Sequence, residues 1–193
     1  MIIGIYGLKG GGKTLLLCIL LYLEWKMFKS KILANLQFSF PHEIIDAQRL
    51  VELDESLKNS AIGIDELHMI ADSRRSGAKQ NLLMSYFILQ SRHRSINFYF
   101  TDQFEHHTDR RIRDNTDIKI IVENLHMDSD NDGIDDLFRV IIQDLREYPI
   151  KYYITVICGT NFYEMYDTDY LIDIFKYKKG DKLIKNGDKN NGR

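Results

Sequence analysis

Gly7, Gly12, Lys13 and Thr14 fall in the spacing G-x-x-x-x-G-K-[ST], inside the stretch GLKGGGKT at residues 7–14. These residue types in this order suit one task, the holding of a chain of phosphates. Glycines let successive backbone N–H groups approach an anion with no Cβ in the way. A helix opening at Lys13 adds the partial positive charge of its N-terminus. Lys13 can reach the outer phosphates, and the Thr14 hydroxyl can ligate magnesium. The expected contact set is Gly7, Leu8, Lys9, Gly10, Gly11, Gly12, Lys13, Thr14 and Leu15, with ATP and Mg2+ as the ligands. The competing reading is a glycine-rich turn.

A phosphate cradle does not by itself specify hydrolysis. The stretch AIGIDELH (61–68) runs four small or apolar residues into Asp65 and then Glu66. On a strand that ends at the carboxyl edge of a parallel sheet, Asp65 is placed to hold magnesium through water. Glu66 can then turn toward the γ-phosphate and accept a proton from the attacking water. The bland alternative is a strand ending in a solvated acidic pair. A third apolar run, INFYFTDQ (96–103), ends in Gln103, whose amide can donate to a phosphate and accept from water. A polar loop residue explains Gln103 equally well.

The chemistry requires elements that bring these ends together, and the sequence supplies them. MIIGIY (1–6) reads as a buried strand, and the apolar stretch 13–28, free of Gly and Pro, reads as a helix. Strands are expected at 31–38, 61–65 and 96–101, and helices at 46–53 and 81–92. Further strands are expected at 118–125, 138–145 and 150–158. The first half alternates strand and helix, and the second half is strand after strand. That order predicts an α/β fold, a mainly parallel sheet flanked by helices with antiparallel strands added at its C-terminal end.

The chain has 193 residues, of which 44% are hydrophobic and 28% charged, which fits one folded domain of ordinary size. The apolar run LLLCILLYL (15–23) is about half the length that spans a bilayer and reads as a buried helix. Cys18 and Cys158 provide no disulfide framework, which points to a reducing, intracellular compartment. A net charge of −2 excludes a bulk polycation, so any nucleic-acid contact must be local. Residues 74–113 hold eight Lys/Arg against three acids, and Arg74, Arg75 and Lys79 surround Gly77 in DSRRSGAKQ (72–80). Phosphate-directed cations on such a loop suit sequence-independent gripping of DNA, against the plain reading of a solvated loop. The domain is expected to run over 1–175, followed by a basic, loosely ordered tail at 176–193.

The set GLKGGGKT, AIGIDE, QSRHRSI and NFYFTDQ, in that order, resembles the FtsK/HerA superfamily of P-loop ATPases. Within it, the chain is most similar to small genome-packaging ATPases of tailless icosahedral viruses with an internal membrane, including archaeal ones. FYEMYDTDYL (162–171) resembles a YDT-type segment of viral and zonula-occludens-toxin-like members. The resemblance covers roughly residues 1–170. It implies a RecA-like fold, with Lys13, Thr14, Asp65 and Glu66 in the roles above and Gln103 as the sensor glutamine. It implies that Arg92 serves the neighbouring subunit's nucleotide in a hexameric ring, with Arg94 as the substitute. It also implies movement of double-stranded DNA through the ring, in the cytoplasm of an infected host cell or in association with a virion, with a capsid or inner-membrane vertex protein as a further partner. Where the family pattern has Gly before the strand, this chain has Ser95.

Other features point elsewhere or nowhere. DSDNDGIDD (128–136) resembles a calcium loop, but its twelfth position is Arg139, and Asp132-Gly133 reads as a hairpin tip, with a shorter Asp-rich calcium loop as the alternative. His68 and the pair His106-His107 read as structural or surface residues. Rival functions are a zonula-occludens-toxin-like ATPase for filamentous-virus assembly or secretion, a small-molecule P-loop kinase, and a DNA-binding switch without useful turnover.

Overall fold

Ile2, Ile3, Ile5 and Tyr6 alternate between two faces, and this period of two makes the first strand a ribbon buried on both sides. In the computed structural model, which describes residues 1–46, 49–50, 55–69, 86–126 and 135–166, this strand is β1 (Ile2–Tyr6). It lies inside an eight-stranded sheet. The other strands are β2 (Lys31–Ala34), β3 (Glu43–Ile44), β4 (Ser60–Ile64), β5 (Asn97–Asp102), β6 (Ile118–His126), β7 (Leu137–Asp144) and β8 (Lys151–Cys158). Their order is β3-β2-β4-β5-β1-β6-β7-β8. The six strands from β3 to β6 pair in parallel, and β7 and β8 add antiparallel to β6. This is the α/β architecture the sequence predicts. The two-residue strand β3 is an addition, too short to show any alternation.

Each face of the sheet has its own core. Ile3, Ile5, Ala61 and Tyr99 pack against Leu15, Leu17 and Leu21 of α1 (Lys13–Phe28). Ile2, Tyr6, Ile62, Ile64, Phe98 and Phe100 form the other face with Phe87, Ile88 and Ile112. The apolar run 15–23 is thus a buried helix, as expected, and among the described residues no helix is long and apolar enough to cross a membrane. Glu24 is buried near the end of α1 but fully satisfied. It accepts hydrogen bonds from Ser30 Oγ (2.7 Å), Asn97 Nδ2 (2.8 Å) and Tyr99 Oη (2.7 Å), which ties the helix to β5.

Parallel pairing fixes what stands at the carboxyl edge. Tyr6 pairs with Asp102 and Ile64 with Phe100, so Gly7, Asp65–Glu66 and Thr101–Gln103 emerge side by side. Arg92 lies at the opposite edge. Its Nη2 donates to Asp117 Oδ1 at 2.7 Å, and Asp117 Oδ2 accepts the amide of Ile2 at the start of β1 (2.8 Å). The sequence around Arg92 contains no acid; the partner lies 25 residues further on. At about 3.3 Å per residue, the five residues of β1 separate this pair from its own phosphate loop by roughly 17 Å. Arg94 lies 3.6 Å from Glu55.

Residues 86–91 are helical and end in a Schellman turn. Ile96 N donates to Ser91 O (3.0 Å) and Ser95 N to Arg92 O (3.3 Å), with Ser95 at φ 54°. The turn therefore keeps the left-handed geometry that favours glycine, with serine bearing the strain. Ser95→Gly should raise stability by about 0.5–1 kcal/mol, the left-handed penalty less the entropy of a glycine. Thermal unfolding should then rise by roughly 1–4 °C in Tm, and a lower Tm would contradict this geometry.

Candidate functional site

The loop between β1 and α1 is shaped by what surrounds it. A Cβ on Gly7 would stand 2.4 Å from the Val122 carbonyl oxygen of β6. One on Gly12, which sits at φ 91°, would meet the ring of Phe138 at 2.6 Å. Gly11 N donates to Leu8 O (3.0 Å), closing the turn, and the buried Lys13 directs Nζ back to the same carbonyl (3.2 Å). Gly12 caps α1 without a side chain, so backbone N–H groups of the first turn remain directed out of the helix. Loop and helix N-terminus together form an anion cradle.

Asp65 faces that cradle. Thr14 Oγ1 lies 3.2 Å from both of its oxygens, and Thr101 Oγ1 donates to Oδ1 at 2.6 Å. The backbone of Asp65 is clamped by Asn35 at the end of β2, through Asp65 N to Asn35 Oδ1 (2.7 Å) and Asn35 Nδ2 to Asp65 O (3.0 Å). The carboxylate and hydroxyl of Asp65 and Thr14 are hard oxygen donors meeting beside a phosphate seat, which fits magnesium. Burial pushes the Asp65 carboxyl up, and the two hydroxyls and Lys13 oppose that shift.

Glu66 stands next to it at φ 52°, its amide donating to Thr101 Oγ1 (2.9 Å). Its Oε1 is 3.9 Å from Lys13 Nζ. Burial and the adjacent Asp65 both raise the Glu66 carboxyl, which makes it a better proton acceptor than a solvated glutamate. Gln103 follows β5, donates its backbone N–H to Asp102 Oδ1 (2.8 Å), and lines a cleft of about 680 Å3 together with Gly7 and Gly10. A second cavity of about 230 Å3 lies on the other side of the loop, between Gly12, Thr14, Phe138, Tyr163 and Tyr166.

The structure therefore gathers Gly7–Leu15, Asp65, Glu66 and Gln103 at one edge and leaves Arg92 at the other. Arg74, Arg75 and Lys79 lie outside the described residues, as do positions 128–134 of the Asp-rich stretch and everything after 166. Sequence reasoning did not single out Asn35, Thr101 and Asp102, which hold the acidic pair. Thr101 and Asp102 could have been found as the residues just before Gln103 on the same strand; Asn35 carries no local signal.

Comparison with solved structures gives the fold a context. The chain is similar to the N-terminal domain of zonular occludens toxin from Neisseria meningitidis, at 16% identity and TM-score 0.59 over 86% of this chain and 98% of that one. It is similar to the genome packaging NTPase B204 from Sulfolobus turreted icosahedral virus 2 in complex with AMP, at 12% identity and TM-score 0.55 over 79% and 96%. It is likewise similar to the DNA-packaging ATPase B204 from Sulfolobus turreted icosahedral virus, at 15% identity and TM-score 0.53 over 79% and 96%. No family model and no curated protein matches the sequence.

The raised Asp65 carboxyl has a consequence for stability. The folded state holds the Asp65 proton more tightly than the unfolded chain, so keeping this group ionised costs stability at neutral pH. Asp65→Asn should therefore raise the Tm of nucleotide-free, chelator-treated protein at pH 7. The gain should shrink as pH falls and wild-type Asp65 becomes protonated. A gain that grows on acidification would contradict the burial argument. With Gly7–Thr14 between a β-strand and a helix, and Asp65 at the adjoining strand end, this chain has the fold of a P-loop NTPase.

Proposed function

We propose that this protein is an ATPase that moves double-stranded DNA to package a viral genome, working as a homo-oligomeric, hexameric ring in an infected host cell. The observation that carries the enzymatic part is the meeting of Thr14 with Asp65 at 3.2 Å, with Glu66 beside Lys13. In this reading, Thr14 and Asp65 would hold Mg2+, which when bound would supply charge neutralisation for the transferred phosphoryl group. Lys13 leaves Leu8 O for the β- and γ-phosphates. Glu66, freed from Lys13, accepts the proton of the attacking water, and Gln103 orients that water from the end of β5. Small-molecule P-loop kinases generally lack a glutamate in this position, which favours transfer of the phosphoryl group to water.

The packaging role rests on likeness to a genome packaging NTPase and a DNA-packaging ATPase. The likeness to zonular occludens toxin supports a second reading, an ATPase for filamentous-virus assembly. A ring also needs a subunit surface. Among the described residues, β8 exposes Tyr152, Ile154 and Val156, which suits a contact between copies. In such a ring Arg92 would leave Asp117 to act on the neighbouring subunit's phosphate. An Arg92→Ala variant that loses stability but keeps full turnover would assign Arg92 to Asp117 alone. A capsid or inner-membrane vertex protein belongs to the same proposal as the receiver of the motor.

ATP hydrolysis with and without long duplex DNA separates these functions. Lys13→Ala should lose nucleotide binding. Glu66→Gln should bind ATP and lose turnover by about 10²–10⁴-fold, the usual worth of a positioned base. Packaging predicts stimulation by duplex DNA, whereas DNA-independent turnover favours the assembly ATPase. Replacing Arg74, Arg75 and Lys79 together should weaken DNA binding for every sequence alike and flatten its dependence on salt. An unchanged salt slope would remove that loop from the DNA path.

A further inference from the structure

His68 reads in the sequence as a single structural or surface histidine, yet its ring nitrogen sits between two carboxylates. Its Nδ1 is 3.1 Å from Asp102 Oδ1 and 3.3 Å from Glu66 Oε2. Asp102 is fully buried at the end of β5 and cannot drift. Its Oδ2 accepts from Thr108 Oγ1 (3.0 Å), and its Oδ1 also accepts the Gln103 amide (2.8 Å). A ring nitrogen set 3.1 Å from one carboxylate oxygen and 3.3 Å from another suits the tautomer that carries its proton there. The 3-10 turn Leu67–Met69, pinned by buried Leu67 and by Met69 N to Glu66 O (2.9 Å), folds His68 back over Glu66.

The Glu66 side chain is otherwise weakly held. Among the described residues, Oε1 has Lys13 Nζ at 3.9 Å, and the buried Oε2 makes no hydrogen bond, with His68 Nδ1 3.3 Å away. In the hydrolytic reading Lys13 is drawn to the phosphates, which removes one of these two contacts. The other is His68.

We propose that His68 is a positioning residue: seated on Asp102, it holds Oε2 of Glu66 so that Oε1 points at the attacking water once Lys13 has moved to the phosphates. This inference rests on the assignment of Glu66 as the base. It gives β5 two tasks at the site, with Thr101 holding the backbone of Glu66 and Asp102, through His68, holding its side chain. A carboxylate free to rotate still accepts a proton, but from a poorer geometry, so the effect belongs to turnover and not to ATP binding.

The test compares His68→Ala and His68→Asn with wild-type protein and Glu66→Gln in steady-state ATP hydrolysis. Asparagine can place an N–H donor close to where Nδ1 stands, so it separates a lost donor from a lost ring. His68→Ala should lower kcat by about 10–100-fold with KM for ATP within about twofold, and His68→Asn should recover most of that loss. His68 is half-exposed, so both variants should fold, and thermal unfolding provides the check. An unchanged kcat in His68→Ala, or equal impairment of the alanine and asparagine variants, overturns the proposal while leaving Glu66 as the base. Full turnover by Glu66→Gln overturns the underlying assignment instead. Glu66, His68 and Asp102 also lie close enough together to ligate a metal ion. Wild-type turnover that requires added Zn2+ in the presence of saturating Mg2+ would replace the hydrogen-bonded reading with a metal site.

Discussion

A single hydroxyl connects the two acidic residues of the site. Thr101 Oγ1 donates to the Asp65 carboxylate at 2.6 Å and accepts the amide of Glu66 at 2.9 Å. It can do so only because β4 and β5 pair in parallel with Ile64 opposite Phe100, which delivers residues 65 and 101 to the same edge. Without that register Asp65 would not face Thr14, and Glu66 would not adopt φ 52° beside Lys13. Burial of the Asp65 carboxylate is unfavourable for the empty protein, and the hydroxyls of Thr14 and Thr101 together with Asn35 offset part of that cost.

The C-terminal hairpin supports the loop from the other side. Phe138 is buried at the start of β7 and its ring rests on Gly12, while Val122 of β6 closes over Gly7. The glycines of the motif therefore answer to two demands, approach to an anion and approach of neighbouring protein. A P-loop read only as a phosphate binder hides the second. It explains why antiparallel strands added at the end of the chain bear on a site at its beginning.

The strands, α1 and the acidic strand end were legible because each is announced locally. Apolar runs of five or six residues end in Gly or Asp, and the helix has no breaker between Lys13 and Phe28. Contacts distant in sequence were not legible. Asp117 reaches Arg92 across 25 residues, and Asn35 reaches Asp65 across 30; nothing in either local stretch marks the partner. His68 is a middle case. It lies two residues beyond Glu66, but its meaning depends on Asp102, a residue on another strand. Ser95 shows the reverse, since the turn kept its left-handed geometry although the expected glycine is missing.

If Asp65 holds the magnesium of a hydrolysable nucleotide at this edge, phosphate release must depend on Asp65 and on Mg2+ together. Release from ATP should be followed as Mg2+ is titrated into wild-type protein and into Asp65→Asn, with nucleotide binding measured on both. Wild type should show saturable, Mg2+-dependent release, and Asp65→Asn should still bind ATP but release little phosphate at any Mg2+ concentration. Equal release by both proteins, with the same dependence on Mg2+, would contradict it.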